Sequence, residues 1–118
     1  MGVKVSGAQL TNYKDANGNT ITGTPKLVGP AGVEFMGKNC HVHFGQNTRF
    51  KGTISFRRDN STVTIGRDSW FRGVMSLGLD CNITFGDDVY CGRDLYMTTA
   101  EGADITLGND ILISDSCY

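Results

Sequence analysis

The 118-residue sequence predicts an all-β fold, a parallel solenoid wound from short repeats, and three observations carry that reading. An apolar residue followed by Gly closes the same short motif four times, apolar residues recur in six-residue steps between the motifs, and an Asn or Asp stands two residues after each Gly. Composition agrees: sixteen glycines against two prolines imply many tight turns, while Thr, Val, Ile and Phe outnumber helix formers such as Ala and Glu.

The repeated motif is His41-Val-His-Phe-Gly45, Thr62-Val-Thr-Ile-Gly66, Asn82-Ile-Thr-Phe-Gly86 and Asp104-Ile-Thr-Leu-Gly108. Its anchors Phe44, Ile65, Phe85 and Leu107 are spaced by 21, 20 and 22 residues, a period that belongs to a repeat architecture. Six residues after each anchor stand Phe50, Phe71, Cys91 and Ile113; six further on stand Phe56, Leu77 and Met97, with Phe35 in the preceding turn. Four residues after the anchors lie Thr48, Ser69, Val89 and Ile111, and four after the second row lie Ile54, Met75, Leu95 and Cys117. Alternate side chains of a strand face opposite ways, so a hexad sends its first and fifth residues inward and its sixth outward. Three hexads close a triangular coil, and the residues beyond 18 are expected at one corner, in the loops 57–62, 78–82 and 98–104. The buried rows are expected to hold Phe44, Phe50, Phe56, Ile65, Phe71, Leu77, Phe85, Met97, Leu107 and Ile113.

The glycine corners continue as Gln46-Asn47, Arg67-Asp68, Asp87-Asp88 and Asn109-Asp110, residues that tolerate the left-handed backbone of a sharp turn. The repeat is regular over residues 33–118, giving about four coils. Residues 1–32 are less regular, an irregular N-terminal segment in which Ile21 and Leu27-Val28 form an incomplete first coil or a cap.

A net charge of −1 argues against a nucleic-acid or anionic-membrane partner, and no apolar run is long enough to span a bilayer. Met1-Gly-Val-Lys-Val-Ser lacks the basic-then-apolar pattern of a secretion signal, so a cytoplasmic location is expected. Cys40 and Cys81 share one corner two coils apart with Ser61 between them, roughly 9–10 Å at the spacing of stacked strands and beyond disulfide reach. Cys91 and Cys117 fall in inward rows. Four free thiols, in a reducing compartment, are expected.

His41 and His43 alternate on one strand, the spacing of a shared metal, yet other coils carry Thr62, Asn82, Asp104 and Thr64, Thr84, Thr106 in their places; no metal is expected. Stacked Asn47, Asp68, Asp88 and Asp110 suit a cation but are explained by the corner. Lys51 and Arg72 stack as solvated charges that a phosphate would also suit. Thr64, Thr84 and Thr106 align as ice-binding ranks do, but His43 breaks the rank. The outward column Arg49, Trp70, Tyr90, Leu112 has no need of its aromatic residues on a solvated face and reads as a subunit interface, with Tyr96 and Tyr118 a shorter pair on the next face.

Val63-Thr-Ile-Gly-Arg-Asp-Ser-Trp-Phe-Arg-Gly and Ile105-Thr-Leu-Gly-Asn-Asp-Ile-Leu-Ile-Ser resemble the repeats of left-handed β-helix, hexapeptide-repeat acyltransferases. Gly86-Asp-Asp-Val-Tyr-Cys-Gly-Arg-Asp-Leu-Tyr-Met is similar to a coil of the bacterial polysaccharide O-acetyltransferases. The resemblance implies a left-handed helix, acetyl-CoA as co-substrate, a saccharide hydroxyl as acceptor and a homotrimer, here packed through Trp70, Tyr90 and Leu112. It also implies a His general base in a Ser-Asp-x-His stretch beyond the coil of Ile113–Tyr118, with backbone amides steadying the oxyanion. His41 and His43 match no such position, so no catalytic or coenzyme-binding residue is assigned. The expectation is an N-terminal β-helix portion with an open C-terminal end, inactive as this chain alone; the alternative is a non-catalytic structural or binding solenoid.

Overall fold

The computed structural model describes residues 3–6, 10, 12–91 and 95–113. These form strands and turns with no helix, and the strands pair into two sheets. In chain order the strands are β1 (Val3–Ser6), β2 (Tyr13–Lys14), β3 (Thr20–Thr22), β4 (Lys26–Phe35), β5 (His41–Phe44), β6 (Arg49–Phe56) and β7 (Thr62–Ile65). They continue as β8 (Trp70–Leu77), β9 (Asn82–Phe85), β10 (Tyr90–Cys91), β11 (Leu95–Thr99), β12 (Asp104–Leu107) and β13 (Leu112–Ile113). One sheet stacks β3, β5, β7, β9 and β12 in parallel; the other stacks β4, β6 and β8, then β10 with β13 and, beside them, β11. This is a parallel β-solenoid of about four coils, as the repeat requires.

The repeated motif forms one face, with Val42, Val63 and Ile83 in register, and with Phe44, Ile65 and Phe85 in register two residues on. All six are buried. Strands β6 and β8 each cover two faces and bend at Gly52 and Gly73, whose φ angles are +115° and +142°. A Cβ on Gly52 would run into the carbonyl of Gly73, so this corner admits only glycine. The anchors Phe50, Phe56, Phe71 and Leu77 are buried as the hexads require. Phe71 stacks on Phe50 and meets Phe85 edge-on, with ring centroids 6.0 Å from each. On the third face Tyr13, Phe35 and Phe56 form a second ladder, at 5.9 and 5.3 Å with nearly parallel rings.

Both remaining corners are columns of left-handed residues. Asn47, Asp68, Asp88 and Asp110 hold φ near +56° at one; Gly18, Asn39, Asn60, Asp80 and Gly102 turn the other. Beside them run buried polar columns that tie each coil to the next. Asn19 Oδ1 accepts the Cys40 amide at 3.0 Å, and Ser61 Oγ accepts the Cys81 amide at 3.0 Å while donating to the Gly78 carbonyl at 2.6 Å. Ser69 Oγ repeats this at the other corner, accepting the Val89 amide at 3.1 Å and donating to the Gly86 carbonyl at 3.2 Å. Backbone groups freed by the sharp turns are thereby satisfied inside the wall.

The structure corrects two details of the sequence reading. The 22-residue coil carries only half of its excess over 18 in residues 98–104, because Thr99 to Ile105 spans the same six residues as Leu77 to Ile83. Cys91 keeps the register of Phe71, but Leu95 pairs with Gly73, so two residues are added between Cys91 and Leu95. Met97 therefore stacks on Met75, and Thr99 takes the place on Leu77 that Met97 was expected to fill. Met97 and Leu107 are half-buried rather than fully buried, because no described strand stacks over either. Leu95, Ile113 and Cys117 were also expected to point inward; the side chains of the first two and all of Cys117 lie outside the described residues. Before residue 33, Ile21 and Leu27 stack on the following coil: β3 pairs in parallel with β5, and β4 with β6. The Gly23-Thr24-Pro25 corner is two residues shorter than its successor, and a bulge between Leu27 and Ala31 restores the register. Ahead of this coil β1 runs antiparallel to β4, and β2 antiparallel to β3, which places Val5 and Tyr13 over the core.

Candidate functional site

The face made by the first halves of β4, β6 and β8 and by β10 and β13 carries the chemically distinctive surface. Leu27, Phe50, Phe71 and Cys91 are in register, so their neighbours Lys26, Arg49, Trp70, Tyr90 and Leu112 form one outward column. Two residues further along β6 and β8, Lys51 and Arg72 form a second. The expected column is present, but its character differs from an apolar stripe. Tyr90 is 37% exposed and Leu112 75%, whereas Trp70 is half-buried under two guanidiniums. Arg49 Cζ lies 5.0 Å from the indole centroid and Arg72 Cζ 4.6 Å, the geometry of cation–π contacts. Arg72 also donates through Nη2 to the Tyr90 hydroxyl at 2.8 Å, and the Tyr90 ring stands edge-on to Trp70 at 5.1 Å. The arginines reach Trp70 because one is its neighbour on the adjacent strand and the other lies two residues along its own.

Beside this cluster opens a cleft of about 310 Å³ lined by Lys26, Asn47, Arg49, Asp68, Ser69, Trp70 and Tyr90. Asn47 Nδ2 donates to Asp68 Oδ1 at 3.2 Å, so the amide–carboxylate pair forms one wall. Ser69 spends its hydroxyl on the coil stacking, and so contributes shape rather than chemistry. Lys26 directly opposes Arg49, and Lys51 directly opposes Arg72, two like-charge pairs across parallel strands. Among the described residues the ion pair is Arg67 with Asp87, 3.6 Å apart and well exposed, so none of these four cations has a carboxylate partner. Lys26 was the site residue that the sequence reading missed. Its signal was Lys26-Leu27 matching Arg49-Phe50 as a basic–apolar pair, hidden by the shortened corner before it.

The other candidates lie apart from the cleft. His41 and His43 sit on β5 in the opposite sheet; His41 Nδ1 is 2.7 Å from Thr20 Oγ1, and its ring stacks on His43 at 6.3 Å. No group of three or more His, Cys, Asp or Glu side chains is placed to hold a metal ion among the described residues. Cys40 and Cys81 are buried free thiols in one corner column with Ser61 between them; they donate to the carbonyls of Arg58 at 3.2 Å and Ala100 at 2.6 Å. Burial, opposed in part by backbone hydrogen bonding and reinforced by Asp59, pushes the Cys40 thiol above its ordinary range. At the N-terminal end burial raises Asp15. Hydrogen bonds from the Asn19 side chain, the Asn19 and Asn17 amides and the Tyr13 hydroxyl outweigh it and hold the carboxyl below its usual range.

Compared with known proteins, the chain matches no family model, no curated protein and no solved structure.

Proposed function

We propose that this solenoid is the β-helical body of an acetyl-CoA-dependent O-acetyltransferase acting on a saccharide hydroxyl. The observation that supports the reading best is the hexad-built coil itself, with its polar cleft on an outer face. In this reading the chain supplies the scaffold and the ligand-binding wall, while the general base comes from elsewhere. Neither His41 nor His43 lies on the cleft side of the molecule, and a deprotonating group must lie within hydrogen-bond reach of the hydroxyl it activates. Self-association belongs to the same reading: Leu112, exposed beside Tyr90 in the column, offers an apolar contact for a threefold assembly. The buried thiols Cys40 and Cys81 fit a reducing, cytoplasmic setting.

Titration calorimetry with acetyl-CoA and with free CoA tests the reading. Saturable binding of both, without acetyl transfer to a sugar by this chain alone, is the expected result; absence of binding rejects it. A non-catalytic binding solenoid is the second reading, favoured by the lack of an imidazole at the cleft among the described residues. It predicts a ligand at the cleft and indifference to acetyl-CoA.

A further inference from the structure

We propose that the Lys26–Tyr90 cleft binds a single anionic sugar residue, its charged group held by Lys26 and Arg49. The proposal rests on the saccharide reading above and names the class of sugar.

Parallel stacking puts Lys26 directly opposite Arg49 and Lys51 directly opposite Arg72, at the roughly 4.8 Å separation of neighbouring strands. Like charges directly opposite each other destabilise a sheet, and none of the four has a carboxylate partner among the described residues. Within the cleft two cations face one carboxylate, Asp68, and one oxygen of that carboxylate accepts from Asn47. A bound anion relieves the repulsion, and Arg49 offers it a planar fork of donors.

The cleft's volume of about 310 Å³ is at the small end of ligand pockets and suits one ring rather than a whole coenzyme. A nucleobase needs a free aromatic face to stack on. Here the Trp70 ring is covered by Arg49 and Arg72, and Arg72 also lies over the Tyr90 ring at 5.5 Å, which leaves no wide aromatic platform. What the cleft offers instead is the Asn47–Asp68 pair, which can donate to and accept from hydroxyls. It also offers the partly exposed Tyr90 as an apolar flank for the ring. Cations at one side, an amide–carboxylate wall and an aromatic flank together describe a pyranose bearing a negative group.

The test titrates the full chain, without acetyl-CoA, against glucuronate, glucose 6-phosphate, glucose, acetate and inorganic phosphate, followed by amide NMR shifts. At least one charged sugar should bind at least tenfold more tightly than glucose and than both simple anions; whichever of the two wins identifies carboxylate or phosphate as the anion. Arg49→Gln and Lys26→Gln should each weaken that binding about tenfold or more, the equivalent of roughly 1.4 kcal/mol. Lys38→Gln, an exposed residue in the opposite corner loop, should leave it unchanged. Lys26 and Arg49 are exposed, and circular dichroism confirms that each variant keeps its β signal. Glucose binding as well as the charged sugars overturns the proposal. So do simple anions binding as well as the sugars, insensitivity to both substitutions, or no binding of any sugar at about 10 mM. Charged-sugar binding without acetyl-CoA binding removes the transferase reading and keeps this site; the reverse removes only this site.

Discussion

Ser61→Ala removes one oxygen atom from the buried wall between two coils, and its cost follows from what that atom holds. Ser61 Oγ donates to the Gly78 carbonyl at 2.6 Å and accepts the Cys81 amide at 3.0 Å, and all three residues are buried. Each hydrogen bond has a net worth of about 0.5–1.5 kcal/mol, and a buried group left without a partner costs about 1–3 kcal/mol. Two backbone groups are orphaned, so the loss should be about 2–4 kcal/mol, a large share of a small domain's stability. With a urea slope of about 1–3 kcal/mol per molar for a protein of this size, the midpoint should fall by about 1–2 M. Urea titration followed by circular dichroism measures the midpoint, and hydrogen exchange at the Cys81 amide measures the bond itself. Ser61→Cys should lose less, because a thiol at this position can donate to Gly78 as Cys40 and Cys81 donate to Arg58 and Ala100. A loss of under about 0.5 kcal/mol with Cys81 exchange unchanged would refute the claim that this column ties the coils together.

Four further outcomes are expected. Gly52→Ala combines a forbidden φ with a collision against the Gly73 carbonyl and should cost about 3 kcal/mol or more in urea unfolding. Gly102→Ala, at φ +72° with open space around it, should cost only about 1 kcal/mol. Asp15 is held below its usual pKa in the fold, so its contribution to stability is present above the unfolded-state value and is lost as pH falls through the folded one. Thermal unfolding from neutral pH into that acid range should show a drop that Asp15→Asn diminishes. Cys40, buried and pushed to a higher pKa, should resist iodoacetamide in the native state and react once unfolded, as read by mass spectrometry. Light scattering should find an assembly that Leu112→Ser weakens; a wild type that stays monomeric at high concentration removes that interface.

The hexads were legible because they obey simple geometry. Phe50 and Phe56, like Phe71 and Leu77, fall six apart, and the Asn or Asp two residues after each repeated Gly marks a left-handed turn. The slip after Cys91 was not legible, for a physical reason. A one-residue slip turns a strand inside out, but a slip of two keeps every side chain on its own face. Leu95, Met97 and Thr99 alternate equally well in either register, so periodicity alone has no power to choose between them. The first coil was obscured in the same way, by a deletion of two at its corner compensated two residues later by a bulge. At the cleft, the column Arg49, Trp70, Tyr90 was readable from spacing. The cover over Trp70 was not, because it comes from the length of arginine side chains, which spacing does not encode.

The antiparallel strands β1 and β2 carry a consequence for assembly. A parallel solenoid offers each new coil a template with the same chain direction, as a crystal face offers a lattice site, and identical molecules can add end on end without limit. On the N-terminal side β1 and β2 run against the winding, so an arriving coil meets strands of opposite chain direction rather than the parallel template that each coil offers the next. Strands β1 and β2 thus interrupt the repeating template on this side, so end-on addition of a like coil there needs a pairing different from the one inside the solenoid.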